Sequence, residues 1–365
     1  MTIPFFSSAA TFEQLRPAIL ERLAGIIDRD HYVDGAEARG LERDIAEYTG
    51  ARHAVACGSG TDALLLLLAA AGVGPGAEVI VPAFTFFASA SAVSLLGARP
   101  AFADIEPVSY GLDPAAISTA ITPSTMAVMP VHLFTQPADM DGVTEAAAAA
   151  GLDVLEDSAE GIGMRYGGVH TGLIGRGGVL SFFPSKTLGA VGDAGMVLTD
   201  DDQLAAGCRR LAAVGMGGRM DEIQAAVLRE RMTRLDADIR RRCALAAELD
   251  ERLAPLAPAI STPRLVDRRS PVQAVYYVYL IQTDDKSGLV RHLTERGIGT
   301  EEYYPRPLHL QPCFAGLGYQ PGDFPVAERA SGRTVGLPFY PDLNEDAVDR
   351  VVAALTGFVE SRGVS

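Results

Sequence analysis

The stretch "HAVACGSGTDALLLLLAAAGVGPGAEVIVPA", His53 to Ala83, decides the fold class. A short apolar strand ends in small residues, a Leu- and Ala-rich helix follows, and a Gly/Pro turn leads into a second apolar strand. The unit then repeats. "TFFASASAVSLLG" reads as a helix before the strand "RPAFADI", "DPAAISTAI" as a helix before "MAVMPVHLF", and "DMDGVTEAAAAAG" as a helix before "LDVLEDSAE". Near-continuous apolar strands alternating with helices imply an α/β fold with a mostly parallel sheet covered on both faces. "GVLSFFPS" and "AGMVLTDD" add two strands to it.

Upstream, residues 12–51 carry apolar side chains at helical spacing. Downstream, "RMDEIQAAVLRERMTRLDADIRRRCALAAELDERLAPL" predicts one long helical stretch, ending at Pro255 and Pro258. Beyond it, "AVYYVYLIQT" predicts a strand, and "SGLVRHLTERG" and "DAVDRVVAALTGFVESRG" predict helices. The expected organisation is a large domain over 1–240, with an N-terminal helical segment, and a smaller α/β domain over 241–365.

Composition excludes several function classes. An apolar share of 48% and a charged share of 21% belong to a globular chain, and a formal net charge of -15 argues against nucleic acid and anionic membrane surfaces as partners. Cys57, Cys208, Cys243 and Cys313 are scattered without CxxC or metal-ligand spacing, so no metal is expected and a reduced compartment fits. The amino terminus lacks a signal-peptide pattern, and no apolar run reaches the roughly 18 residues of a membrane span. A cytoplasmic location is expected. "GVGPGAE" at 72–78 follows a helix and precedes a strand, the reverse of a dinucleotide-binding fingerprint.

Lysine usage points to chemistry. Of 31 basic residues only Lys186 and Lys286 are lysine. Lys286, in "QTDDKSG", reads as a solvated turn. Lys186, in "SFFPSKTLG", is either a cation snorkelling off a strand end or a reactive amine. If unpaired in an apolar site, it would have a lowered pKa. Ligands of open α/β sheets bind at the carboxyl ends of the strands. There "CGSGTDAL" offers Ser59, Gly60 and Thr61 at a helix start, as a phosphate cradle or an ordinary N-cap. "VPAFTFFASA" brings Phe84, Phe86 and Phe87, two for the core and one for stacking on a flat ligand. "VLEDSAEG" places Glu156, Asp157 and Glu160 after an apolar strand, to cap a turn or to face a protonated ring nitrogen. His132, in "PVHLF", reads as structural. A phosphate cradle, an aromatic plate, a carboxylate and a lysine together match the needs of pyridoxal 5'-phosphate.

These segments, with "VHLFTQPADMD", "GRMDEIQAAVL" and "YYPRPLHLQPCF", resemble the DegT/DnrJ/EryC1/StrS aminotransferases almost end to end. That resemblance implies a type I aminotransferase fold and pyridoxal 5'-phosphate as cofactor. It also implies transfer of an amino group from L-glutamate to a keto group of a nucleotide-linked sugar. A dTDP-linked keto-6-deoxyhexose is the expected acceptor, in deoxyaminosugar and antibiotic biosynthesis, and a homodimer with shared sites is the expected assembly. Lys186 matches the Schiff-base lysine and proton shuttle, and Asp157 the partner of the pyridine nitrogen. Phe86 matches the stacking aromatic, and Gly60, Thr61 and Ser181 the phosphate ligands. Glu160 lies where many members place Gln or His against the cofactor's 3'-oxygen. Tyr304 and His309 fall near the sugar site.

Two departures from the family pattern stand out. Gly217 replaces an Asn that reaches the neighbouring subunit's cofactor phosphate, and "RRLAAVGMGGRMDE" is shorter than usual. An inositol-type ketone remains open as substrate. A sugar dehydratase is disfavoured by Lys186, because those members carry histidine there. A non-catalytic cofactor-binding regulator is disfavoured by the complete residue set.

Overall fold

The computed structural model describes residues 2–363. In the amino-terminal two thirds of the chain lie β1 (His53–Cys57), β2 (Glu78–Pro82), β3 (Arg99–Ala103), β4 (Thr125–Val128) and β5 (Asp153–Asp157). The two-residue strands β6 (Arg165–Tyr166) and β7 (Val169–His170) form a hairpin, and β8 (Gly177–Ser181) and β9 (Gly195–Thr199) follow. Seven of these make one sheet in the order β1-β9-β8-β5-β4-β2-β3. Only β9 runs against the rest, pairing antiparallel with both β1 and β8. The mostly parallel α/β sheet expected from the repeated strand–helix units is therefore present. Every residue of β2 and β9 is buried, as strands covered on both faces must be. The helix Gly60–Ala70 carries Leu64, Leu66, Leu67 and Leu68 at 2% exposure or less, because it is wedged between the sheet and the helix Asp202–Ala213.

A second core gathers Leu245, Leu249, Leu289, Leu293, Val348 and Leu355. It is built on the helices Lys286–Glu295 and Glu345–Glu360 and on the antiparallel pair β11 (Tyr279–Gln282) and β12 (Thr334–Leu337). A short strand β10 (Val272–Gln273) instead extends the β6–β7 hairpin. Ile3 joins this second core, its N–H donating to the Gly297 carbonyl and its own carbonyl accepting from Gly299 (2.8 Å each).

Two local expectations change, and one strand is unexpected. The long helical stretch over 219–256 is two helices, Glu222–Met232 and Leu235–Leu253. Thr233 closes the first by donating its hydroxyl to the Glu230 carbonyl at 2.6 Å. The second helix spans both cores, with Leu235 and Ile239 in the sheet's core and Leu245 to Leu253 in the other. The strand expected over "AVYYVYLIQT" shrinks to Tyr279–Gln282, because Val275 and Tyr277 donate their N–H groups to the Thr135 and Phe134 carbonyls. Tyr276 between them takes a left-handed φ of 54°. Finally, "TVGL" at 334–337 is a strand that no alternation in the sequence announced.

Candidate active site

The carboxyl ends of β1, β2, β4, β5 and β8 open onto one cavity of about 690 Å³. Gly60, Thr61, Ser181 and Lys186 line it, as do Phe86, Asp157 and Glu160, so strand order brings together residues spread over more than a hundred positions. Tyr304 reaches it from the segment that follows the helix Lys286–Glu295. His309 does not line it. Its ring is 1% exposed, 4.8 Å from the ring of Phe324, with Nε2 3.1 Å from the Glu328 carboxylate.

The end of the cavity that would suit a phosphate lies at the start of the helix Gly60–Ala70. Ser59 is its N-cap, its hydroxyl oxygen accepting from the Asp62 N–H at 3.0 Å. The first N–H groups of a helix have no partner inside it and concentrate positive potential. Gly60 is required by packing, since a Cβ there would stand 2.7 Å from the Cβ of Ser181 at the end of β8. The Gly58 N–H donates to the Gly218 carbonyl at 2.6 Å, so the short loop before the "RMDE" motif closes directly on this turn. Gly217 in that loop has φ 59°, and a Cβ would meet the Asp62 carbonyl oxygen at 3.0 Å. This position therefore packs on its own subunit's helix. Glu222 of the motif is 1% exposed and accepts from the N–H groups of Gly35, Glu37 and Ala38 at 2.8–2.9 Å, capping the helix Ala36–Thr49.

Strand alternation separates the two adjacent acids of β5. Glu156, 0% exposed, accepts from the N–H groups of Gly172, Ile174 and Gly175 and from His132 Nε2, all at 2.7–2.9 Å. His132 Nδ1 accepts from the Ala138 N–H, so both residues are structural ties. Asp157 faces the cavity. Its Oδ2 accepts from the Ser89 hydroxyl at 2.7 Å, and its Oδ1 from the Ala159 N–H at 3.2 Å. Ser89 in turn lies 3.2 Å from the Thr85 hydroxyl. Neither Ser89 nor Thr85 was singled out from sequence, although the small polar residues of "TFFASAS" are the only signal available.

Lys186 is paired, so the lowered pKa that an unpaired lysine would have here does not arise. Its Nζ lies 3.3 Å from Glu160 Oε1 and 4.5 Å from the centroid of the Tyr277 ring. Burial is the largest influence on its charge and opposes it. Tyr277, Glu160 and Asp157 together outweigh burial and hold the ammonium above the ordinary lysine pKa. Burial also pushes the Glu160 carboxyl up, while Lys186 and the Phe134 N–H (2.7 Å from Oε2) act against that rise. Tyr277 is a site residue that sequence reading missed.

The aromatic expectations resolve individually. Phe84 is fully buried, 5.3 Å from the Tyr304 ring. Phe86 is 60% exposed at the cavity edge, 6.4 Å from the same ring. Phe87 is half-exposed and packs on Phe314 rather than entering the core. Burial raises the Tyr304 phenol well above its ordinary pKa. Lys286 is no solvated turn. It is 9% exposed, donating to the Ser331 carbonyl and to Glu302 at 2.8 Å each.

The donor set can accept a flat, phosphorylated pyridine. Gly60, Thr61 and Ser181 offer backbone and hydroxyl donors where a phosphate would sit. Asp157 could present a fixed carboxylate to a ring nitrogen, Phe86 a face, and Lys186 the amine. Fold and cavity together define a pyridoxal 5'-phosphate-dependent aminotransferase. More specifically, the chain belongs to the DegT/DnrJ/EryC1/StrS aminotransferase family, whose sequence model matches residues 13–356. It is 41% identical to a pleiotropic regulatory protein of Geobacillus stearothermophilus, over 98% of this chain and 99% of that one. It is 39% identical to the dTDP-3-amino-3,4,6-trideoxy-alpha-D-glucose transaminase of Streptomyces venezuelae, over 98% and 96%. The crystal structure of S. venezuelae DesV in complex with a ketimine intermediate superposes with a TM-score of 0.93 at 39% identity, covering 98% of this chain and 99% of that one.

Proposed function

We propose that this chain aminates a keto group on a nucleotide-linked deoxysugar, with dTDP as the nucleotide and L-glutamate as the amino donor. The observation that carries this reading is the end-to-end alignment, at 39% identity, with a dTDP-aminosugar transaminase, together with a cavity that keeps every predicted cofactor contact on its wall. When bound, pyridoxal phosphate would supply a conjugated ring that delocalises the charge developing at the substrate carbon. Lys186 Nζ attaches the cofactor and moves the proton at the substrate carbon in each half-reaction. Asp157, fixed by Ser89 and the Ala159 N–H, keeps the proton on the ring nitrogen. Gly60, Thr61 and Ser181 bind the phosphate, and Phe86 covers one face of the ring. Glu160 takes a share of the Lys186 proton when the amine needs to act as a base. Tyr304 is the substrate contact that the cavity supports; His309 is left out of that role by its position.

A second copy of the chain completes the site in this reading. Lys186 is the only cation among the described residues lining the cavity, against Asp157, Glu160, Asp193, Glu301 and Glu302. A diphosphate and a glutamate carboxylate both need positive partners. Phe183 and Val191, on either side of Lys186, are 51% and 54% exposed and offer an apolar contact for that copy. No helix of the described residues is long and apolar enough to cross a membrane, and the proposed location is the cytoplasm.

The test is a screen of nucleotide-linked keto sugars with L-glutamate, reading product mass and the carbon that gains nitrogen. Formation of a dTDP-amino-deoxyhexose and 2-oxoglutarate is expected. Turnover confined to inositol-type ketones, or none with any ketone despite bleaching by glutamate, overturns the substrate assignment.

A further inference from the structure

Behind the cavity wall, "VHLFTQPADMD" folds into a tight turn that the reaction as described leaves without a role. The Thr135 N–H donates to the Leu133 carbonyl at 2.6 Å, closing a three-residue turn centred on Phe134. Phe134 has φ 59°, a left-handed conformation that a bulky side chain rarely adopts. Such backbone persists only where the surroundings over-determine it, and it gathers at functional sites. Here the Phe134 ring, 1% exposed, lies among Phe84, Tyr110, Tyr303 and Tyr304 at centroid distances of 5.4–6.3 Å.

Both polar groups of this one residue point at the surroundings of Lys186. The Phe134 N–H donates to Glu160 Oε2 at 2.7 Å, while Oε1 of the same carboxylate lies 3.3 Å from Lys186 Nζ. The Phe134 carbonyl accepts from the Tyr277 N–H at 2.6 Å, and the Tyr277 ring lies 4.5 Å from that Nζ. Tyr277 is held on its other side by Arg242, which donates to its carbonyl at 3.1 Å. Its phenol lies 3.2 Å from the Ser185 hydroxyl, next to Lys186 in the chain, and is hydrogen-bonded to Tyr303. The carboxylate and the aromatic face that stabilise the ammonium thus hang from the N–H and the carbonyl of a single strained residue.

We propose that Phe134 is a positioning residue for Lys186, its turn fixing the Glu160 carboxylate and the Tyr277 ring around the amine and so setting the amine's affinity for its proton. This rests on the reading of Lys186 as the cofactor lysine. The other titratable groups on the cavity wall are Asp157, at the end of β5, and Asp193, before β9. Glu301, Glu302, Tyr303 and Tyr304 come from the segment after the helix Lys286–Glu295. None of these takes its place from the Phe134 backbone. Loosening the turn therefore weakens two of the influences that hold the ammonium and leaves burial, which favours the neutral amine.

The chain's composition makes this measurable without turnover, because Lys286 is the only other lysine and forms a separate peptide. Cofactor-free enzyme is reductively methylated across a pH series and digested, and the pH of half-modification of Lys186 is read by mass. In Phe134→Ala, where the turn is strained and the ring is gone, the midpoint is expected to fall by about one unit or more. In Phe134→Gly, which adopts positive φ freely, it stays within about half a unit of the parent. Equal shifts in both variants, or none in Phe134→Ala, overturn the proposal, since loss of packing alone cannot separate Ala from Gly in that order. If Phe134→Ala does not fold, Tyr277→Leu carries the test, and an unmoved midpoint there overturns it equally. Absence of cofactor on Lys186 after borohydride reduction would instead break the assignment of the lysine, and leaves the titration readable.

Discussion

Lys186 and Lys286 are both largely enclosed and both paired with a glutamate, with side chains 15% and 10% exposed. Burial and pairing therefore do not set the reactive amine apart. What differs is completion. Lys286 has two donors engaged at 2.8 Å, to Glu302 and to the Ser331 carbonyl, and anchors the loop that carries Tyr303 and Tyr304 to the cavity. Lys186 has one longer contact with a carboxylate and an aromatic face below it, and the rest of its ammonium opens into the cavity. An amine with one long contact at a cavity wall is where chemistry can be done; the same group with two of its three donors engaged at 2.8 Å is structure.

The strongest way to break that comparison is at Lys186 itself. Lys186→Ala is expected to lower transamination by at least about 10⁴-fold, combining loss of attachment with loss of the proton shuttle. Its thermal midpoint in cofactor-free form should stay within about 5 °C, because Glu160 can take up a proton once its cation is gone. Residual turnover above one part in a thousand would sink the assignment. Asp157→Asn keeps the shape and removes the charge that holds the ring proton. A loss of about 10²–10³-fold in kcat is expected, with bound cofactor still visible by absorbance.

Asp157 also shows how far the chain could be read without coordinates. Repeated apolar strands and helices announced the sheet, and ligand binding at strand ends pointed to the right loops. Glu156 and Asp157 could not be told apart by composition, since both follow the same apolar strand. The resemblance to known aminotransferases singled out Asp157, and the pleat turns Glu156 to the opposite side, onto three N–H groups from residues 172–175. Tyr277 stayed hidden for a different reason. Its segment has the β-branched and aromatic character of a strand, but its backbone is claimed by Phe134 and Thr135, more than a hundred residues away. Lys286 was misread as solvated for the same cause, since Ser331 and Glu302 are remote in sequence. Local pattern carries the elements and fails wherever a distant partner overrides it.

Buried bases finished on every side should report stability and leave chemistry alone. His170 is the clearest of these: its Nε2 accepts from the Gly163 N–H at 3.0 Å and its Nδ1–H donates to the Thr171 carbonyl. Burial, the largest cause, lowers its pKa from 6.5 to about 4. The unfolded chain then binds the extra proton first, so stability is lost as pH falls from about 6.5 towards 4, by about 3 kcal/mol. Urea midpoints measured across that window should fall, and His170→Gln should flatten the slope. Lys286→Met removes a pair whose glutamate is 44% exposed, which limits the electrostatic part. The expected cost is about 1 kcal/mol, with kcat/KM within about threefold. A variant that folds but loses activity would show that the segment Lys286 anchors, with Glu302 to Tyr304, must be held in place for the reaction.

The smallest effect belongs to His309, and it tests the comparison where sequence and structure disagree. The resemblance of the carboxy-terminal motif to the family leads to the expectation of Tyr304 and His309 together near a sugar site. In the fold, Tyr304 lines the cavity, while His309 is enclosed by Phe324 and Glu328, with Nδ1 buried and unpartnered. His309→Gln preserves a donor towards Glu328 and removes the ring, so a loss of about 1 kcal/mol in unfolding free energy is expected. KM for the keto sugar should stay within about twofold, whereas Tyr304→Phe, altering a group on the cavity wall, should raise it more. Steady-state kinetics on the two variants side by side decide the matter. A larger KM change at His309 than at Tyr304 would mean that the loop between them moves when substrate binds and brings the histidine to the site.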